Sequence, residues 1–240
     1  MESLVLAAVL VMLLAAAVQA VTGFGFALVA IPLLALTADP RTAVVSVGVA
    51  GLAMTVMAAV RERRHARWST AGLLVAASVV GMPAGLLVLR SAPARVLTLL
   101  IGAGVIGCAL LIWRGLRLPN RRPVVVGVGI LAGALATATG TNGPPLVAAL
   151  QAMGYAPRAF RATLAVTFTG SGLLALTGFG LTGQFTPEVL MLGGAGIPAT
   201  LVGWWLGDRV FHRLDPERFR RLLLWALVGC GVLIIAPVPG

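Results

Sequence analysis

Thr139-Gly140-Thr141-Asn142-Gly143-Pro144-Pro145 cuts an apolar stretch that otherwise runs from Val124 to Met153. Thr22-Gly23-Phe24-Gly25-Phe26 cuts another, from Ser3 to Thr37. Glycine allows the close-approach or left-handed backbone of a sharp reversal, and proline suits the first turn of a helix, where its missing N–H would be unpaired anyway. Gly143-Pro144-Pro145 therefore reads as the start of a returning half-helix Leu146 to Met153, and Gly25-Phe26 as the start of another, Ala27 to Leu36. Two helices interrupted at membrane depth, at corresponding places in two halves of one chain, point to a place where something is carried across.

The composition sets the solvent. Of the 240 residues 59% are hydrophobic and 10% charged, and the mean hydropathy is +1.02. Apolar runs of about 20 residues recur along the whole length, the measure of a helix crossing a bilayer. Val96 to Ile112 and Leu222 to Ile235 are apolar on every side, which excludes the alternating pattern of a β-barrel. The fold class expected is an all-α polytopic membrane protein. Leu4 to Ala17 has the length of a signal sequence, but with Glu2 and no basic start it reads as a retained first helix. The net charge of +11 comes entirely from arginine among the basic residues. These cluster in short loops, which fits membrane orientation better than a nucleic-acid face.

The two halves repeat. Thr22-Gly23 answers Thr139-Gly140, Asp39-Pro40-Arg41 answers Ala156-Pro157-Arg158, Gly81-Met82-Pro83 answers Gly196-Ile197-Pro198, and Pro93-Ala94-Arg95 answers Pro216-Glu217-Arg218. Cys108 and Cys230 also correspond, each in an apolar run, and read as small packing residues rather than a disulfide or metal pair. The boundary lies near the basic linker Arg114 to Pro123, giving a first repeat over 1–118 and a second over 119–240. Spans are expected at Ala43 to Val60, Trp68 to Leu89 and Val96 to Trp113 in the first half. Thr163 to Leu181, Val189 to Leu206 and Phe219 to Ile235 are their counterparts in the second.

Loop charge then orients these spans. Arg61, Arg63, Arg64 and Arg67 place one loop in the cytoplasm, while the equivalent Thr182 to Pro187 has no basic residue and belongs outside. Arg209, Arg213, Arg218, Arg220 and Arg221 place the loop before the last span inside, opposite to its counterpart around Ser91 to Ala94. Equivalent loops on opposite faces imply inverted repeats, each a broken helical hairpin plus three transmembrane helices, with both termini periplasmic. The Ser3 to Thr37 segment would be about 50 Å long as one helix, against a hydrocarbon core of about 30 Å, so it must double back.

Each hairpin tip presents a helix N-terminus, which favours an anion, and Thr22, Thr139, Thr141 and Asn142 add neutral donors. For any one of these residues, capping or packing accounts for its type. Duplicated in an inverted pair, the two tips together read as a substrate site: Thr22, Gly23, Phe24, Gly25 and Phe26 with Thr139, Gly140, Thr141, Asn142, Gly143 and Pro144. Glu2, Asp39, Glu62, Glu188, Asp208, Asp215 and Glu217 fall at span ends or in loops, His65 and His212 in basic loops, and no arginine is expected near the tips. Gly170-Ser171-Gly172 and Thr177-Gly178-Phe179-Gly180 read as helix packing, since Ser171 has no evident base. No catalytic constellation, metal set or cofactor motif emerges, so an enzyme is not expected.

Thr22 to Leu34, with its glycine-rich break followed by Pro32, and its counterpart Thr139 to Leu146 resemble the TauE/SafE sulfite exporter family of bacterial inner-membrane proteins. The resemblance extends over essentially the whole chain. It implies a multi-pass inner-membrane transporter of small sulfur-containing anions of the sulfite or organosulfonate type, with lipid as surroundings and no nucleic-acid partner. A homodimer is allowed by it but is read from no residue. Phe24 and Phe26 stand where many relatives have glycine, and Asn142 interrupts the second glycine run. An anion channel, or a carrier of another small organic anion, is the alternative.

Overall fold

The computed structural model describes residues 2–114 and 121–211, and among them every regular element is helical. The first half contributes α1 (Glu2–Thr22), α2 (Phe26–Leu34), α3 (Pro40–Glu62), α4 (Trp68–Ser91) and α5 (Ala94–Trp113). The second contributes α6 (Arg122–Ala138), α7 (Gly143–Ala152), α8 (Pro157–Leu181) and α9 (Pro187–Phe211). Five of these segments are long and apolar enough to cross a membrane: Glu2–Ala20, Pro40–His65, Trp68–Ser91, Arg158–Leu181 and Pro187–Arg209. The expected last span Phe219 to Ile235, the loop residues from His212 to Arg221, Cys230 and the side chains of Thr22 and Cys108 lie outside the described residues.

Helix starts follow local chemistry. Asp39 caps α3 by accepting from the Arg41 N–H at 2.9 Å, with Pro40 in the first turn. Thr186 Oγ1 accepts from the Val189 N–H at 3.2 Å at the start of α9. Pro157 opens α8, and Pro144 and Pro145 open α7. The breaks fall where glycine permits them: Gly23 (φ 80°), Gly25 (φ 109°) and Gly140 (φ 67°) all occupy the left-handed region.

Packing is reciprocal between the halves. The first helix of each half lies along the fourth helix of the other, α1 on α9 and α6 on α4. Between apolar helices in lipid there is little hydrophobic drive, so close packing and interhelical hydrogen bonds must hold the contact. Gly81 and Gly85 of α4 meet the carbonyls of Ile130 and Ala134 on α6, and Gly133 of α6 meets the Ser78 carbonyl in return. A Cβ at any of the three would overlap a backbone atom. Thr137 Oγ1 adds a donated bond to the Met82 carbonyl, 3.0 Å, across the same interface. On α1, Leu6, Leu10 and Leu14 point outward while Ala8, Met12, Ala15, Ala16 and Ala20 are buried.

The contacts also fix helix directions. Glu62 at the end of α3 reaches Arg161 in the beginning of α8, while Gly48 near the start of α3 faces Leu176 and Phe179 late in α8. These two helices therefore run antiparallel. Ser46 reaches the Val189 carbonyl at the start of α9, and Arg61 stacks 5.0 Å from the Trp204 ring centroid near its end, so α3 and α9 run parallel. One end of the bundle thus gathers Arg61, Arg63, Arg64, Arg67, Arg161 and Arg209. Arg67 there lies 5.8 Å from the Tyr155 ring, and Arg209 lies 3.5 Å from that of Trp205. At the other end Arg41 caps α4, its guanidinium donating to the carbonyls of Leu89, at 2.7 Å, and Ala92.

Candidate functional site

Between α2, α3, the break before α7 and α8 lies a cavity of about 110 Å³. Gly25 and Phe26 of the first break line it, and so do Gly140, Thr141, Asn142 and Gly143 of the second. Phe24 also lies against Gly143, so the two breaks touch beside the space they enclose. A volume of this size holds a few water molecules' worth of matter, the scale of a small oxyanion.

Five cavity-lining side chains are polar and neutral: Gln19, Thr55, Thr141, Asn142 and Ser171. Asn142 Nδ2 donates to Ser171 Oγ at 3.2 Å, tying the second break to α8. Thr141 Oγ1 and Thr139 Oγ1 are 2.7 Å apart, and the Thr139 hydroxyl also reaches the Leu135 carbonyl at 3.2 Å. A hydroxyl carries one proton. While Thr139 donates to Leu135, Thr141 must donate to Thr139; if Thr139 turns its proton to Thr141, the Thr141 proton is released toward the cavity. The pair can therefore offer either an acceptor or a donor to an occupant. Phe26, Phe168 and Phe179 supply aromatic wall, and no Asp, Glu, His or Arg lines the cavity among the described residues.

The breaks differ in what their helix ends can offer. The N–H of Phe26, first residue of α2, is taken by Gln19 Oε1 at 3.0 Å, while the following Ala27 and Leu28 line the cavity. At α7 the first turn carries Pro144 and Pro145, which have no N–H, so Gly143 is its one early donor. The second break thus presents side chains, Thr141 and Asn142, more than backbone.

Of the residues expected from sequence, Gly25, Phe26, Gly140, Thr141, Asn142 and Gly143 meet at the cavity. Phe24 packs instead into a separate cluster with Leu28, Leu74, Val128, Leu146 and Leu150. Thr139 is buried behind Thr141, Pro144 is buried outside the cavity lining, and Gly23 sits at the turn with its α-carbon facing Arg161. For Thr22 only the backbone, the last residue of α1, is described.

Ser171 and Phe179, in stretches read as helix packing, also line the cavity, while Gly170 and Gly178 pack against Val75 and Leu86 as that reading expects. One sequence reading is corrected. An arginine does stand at a tip: a Cβ on Gly23 would lie 3.3 Å from Arg161 Cγ. Gln19, three residues before the break and polar in a 21-residue apolar helix, carries a signal in the sequence for its place at the cavity. Thr55 in α3 carried no comparable cue, because serine and threonine satisfy their own helix carbonyls, as Thr55 does on Leu52 at 3.1 Å.

Comparison with known proteins bears on this geometry. The family model described as sulfite exporter TauE/SafE matches residues 8–234. The probable sulfite/organosulfonate exporter TauE of Cupriavidus necator is 26% identical over 231 residues, covering 91% of this chain and 89% of its own. No solved structure matches.

Proposed function

The chain belongs to the sulfite exporter TauE/SafE family and is a helical membrane transporter; from that premise we propose that it carries small sulfur-containing anions, sulfite or short organosulfonates, through the cavity between its two helix breaks. The observation that carries this reading is the convergence of both breaks on one cavity lined by neutral donors. Irregular backbone at membrane depth persists where it is buried in protein or lines such a space. An oxyanion would take hydrogen bonds from Thr141, Asn142 and Ser171 and the positive end of α2, with any short apolar tail against Phe26, Phe168 and Phe179.

The reading extends to topology. The halves 1–118 and 119–240 are inverted repeats, in accord with the antiparallel course of α3 and α8 and the reciprocal packing of α1 on α9 and α6 on α4. The arginine-rich end faces the cytoplasm of an inner membrane, and both termini face the periplasm. In such an arrangement the tips cross near the midplane, and rocking of one half against the other would open the cavity to each side in turn.

The test is a transport assay with purified protein in liposomes, offering sulfite, methanesulfonate, sulfate, acetate and a neutral sugar in parallel. Saturable movement of sulfite or methanesulfonate above the carboxylate and neutral controls is expected. Equal movement of all anions without saturation would replace this reading by an unselective pore.

A further inference from the structure

Arg161 stands where the first break meets the arginine-rich end of the bundle. Its stem covers Gly23, whose positive φ leaves no room for a side chain of its own, with Arg161 Cγ 3.3 Å from where a Cβ would be. Its guanidinium lies 3.7 Å from Glu62 Oε1, and the two side chains are 28% and 31% exposed. Two residues beyond Gly23 the chain lines the cavity at Gly25. Around the pair are Arg61, Arg63, Arg64 and Arg67, from the end of α3 and the turn after it, and Arg158, one helical turn before Arg161. Glu62 is the carboxylate within ion-pair distance of Arg161, and Asp208 stands beside Arg209 at the same end of the bundle.

We propose that Arg161 and Glu62 form an exchangeable ion pair at the cytoplasmic approach to the cavity, in which the arriving anion replaces Glu62 as the partner of Arg161 before it passes the first break. This rests on the anion-transport reading above and assigns it a positioning residue and a direction of approach. The geometry suits exchange: at 3.7 Å and partly in water, the pair is long and screened, so little stability is lost when it opens. Guanidinium binds sulfonate-type oxygens as it binds carboxylate, in a fork of parallel donors. The excess of arginine draws anions to this end, and Glu62 keeps Arg161 from holding them there. Arg161 also carries Gly23 on its stem, so a change of its partner is felt at the turn that shapes the cavity.

The experiment uses the full chain in liposomes, with sulfite and methanesulfonate presented at the arginine-rich face and ionic strength varied. Arg161→Gln is expected to raise the apparent KM about tenfold and to flatten its salt dependence, while Arg161→Lys restores most of the salt dependence. Glu62→Gln should lower KM but slow release, visible as a lower kcat, and the Arg161→Gln/Glu62→Gln double variant should resemble Arg161→Gln alone. A purely structural role at Gly23 predicts reduced thermal stability with unchanged salt dependence in Arg161→Gln, and that result overturns the proposal. If Arg161→Gln misfolds, Glu62→Gln decides: unchanged KM and kcat are equally fatal to it. Absence of sulfite and methanesulfonate transport by the unaltered protein would instead sink the functional reading itself.

Discussion

Individual side chains around the cavity divide into those that line it and those packed behind its walls. Asn142 bonds Ser171 and lines the cavity, and Thr141 does so with Thr139 behind it. Asn142→Ala and Thr141→Val should each weaken anion binding about tenfold or more, since a hydrogen bond to a charged group contributes about 1.5–3 kcal/mol. Calorimetric titration of sulfite into the purified variants checks this; a folded double variant with unaltered affinity would leave both as structural residues. Phe24 and Phe26 part company in the same way. Phe26 is cavity wall and Phe24 is packing, so Phe26→Gly should shift preference from methanesulfonate toward bare sulfite. Phe24→Gly should leave that ratio alone and lower stability by roughly 3–5 kcal/mol through the void it leaves. Equal loss of both ligands in Phe26→Gly would remove the aromatic wall from the specificity argument.

At the level of elements, the scaffold depends on backbone approaching backbone. Gly81, Gly85 and Gly133 let α4 and α6 close to contact, and no flexible side chain stands there to give way. Gly133→Leu should therefore separate the helices and cost about 3 kcal/mol or more. Gly127→Ala on the same helix, where a Cβ meets nothing within 4 Å, should be near neutral or slightly stabilising. Thermal unfolding in detergent distinguishes them, and similar melting temperatures for the two variants would contradict the close-packing account. Because α6 ends at Ala138, directly before the second break, loosening α4–α6 should also blur that break, so residual folded Gly133→Leu should bind anion poorly.

Across the whole molecule the consequence is topological. Both arginine-rich segments described, Arg61 to Arg67 and Arg209, lie at one end, with Arg61 on Trp204 and Arg209 on Trp205, whereas Arg41 and the start of α9 lie at the other. Cysteines introduced at Gln184 and at Arg64 should react with an impermeant reagent from opposite faces of sealed vesicles, and a reporter fused after Gly240 should be periplasmic. Labelling of Gln184 and Arg64 from the same face, or a cytoplasmic reporter, would undo the inverted arrangement.

Membrane residence, most helices among the described residues and the two breaks were legible in the chain because each is local: about 20 apolar residues make a span, glycine and proline make a reversal, and arginine marks a loop. α4 begins at Trp68 and α8 ends at Leu181 as expected, whereas α8 begins at Pro157, ahead of the expected Thr163, because the proline can open the helix. The candidate site was legible only where it coincides with a break. Ser171, Thr55 and Phe179 sit inside uninterrupted helices, where a hydroxyl bonded to its own helix and an aromatic in an apolar run look alike whether they face a cavity, a neighbour or lipid. Arg161 could not be placed at Gly23 from sequence, because 138 residues' separation is closed only by the crossing of α8 over the end of α1 and α3. Facing is decided by helix rotation and by which partner each helix meets, and those are set by tertiary packing, in which glycine interfaces far apart in the chain determine what the breaks enclose.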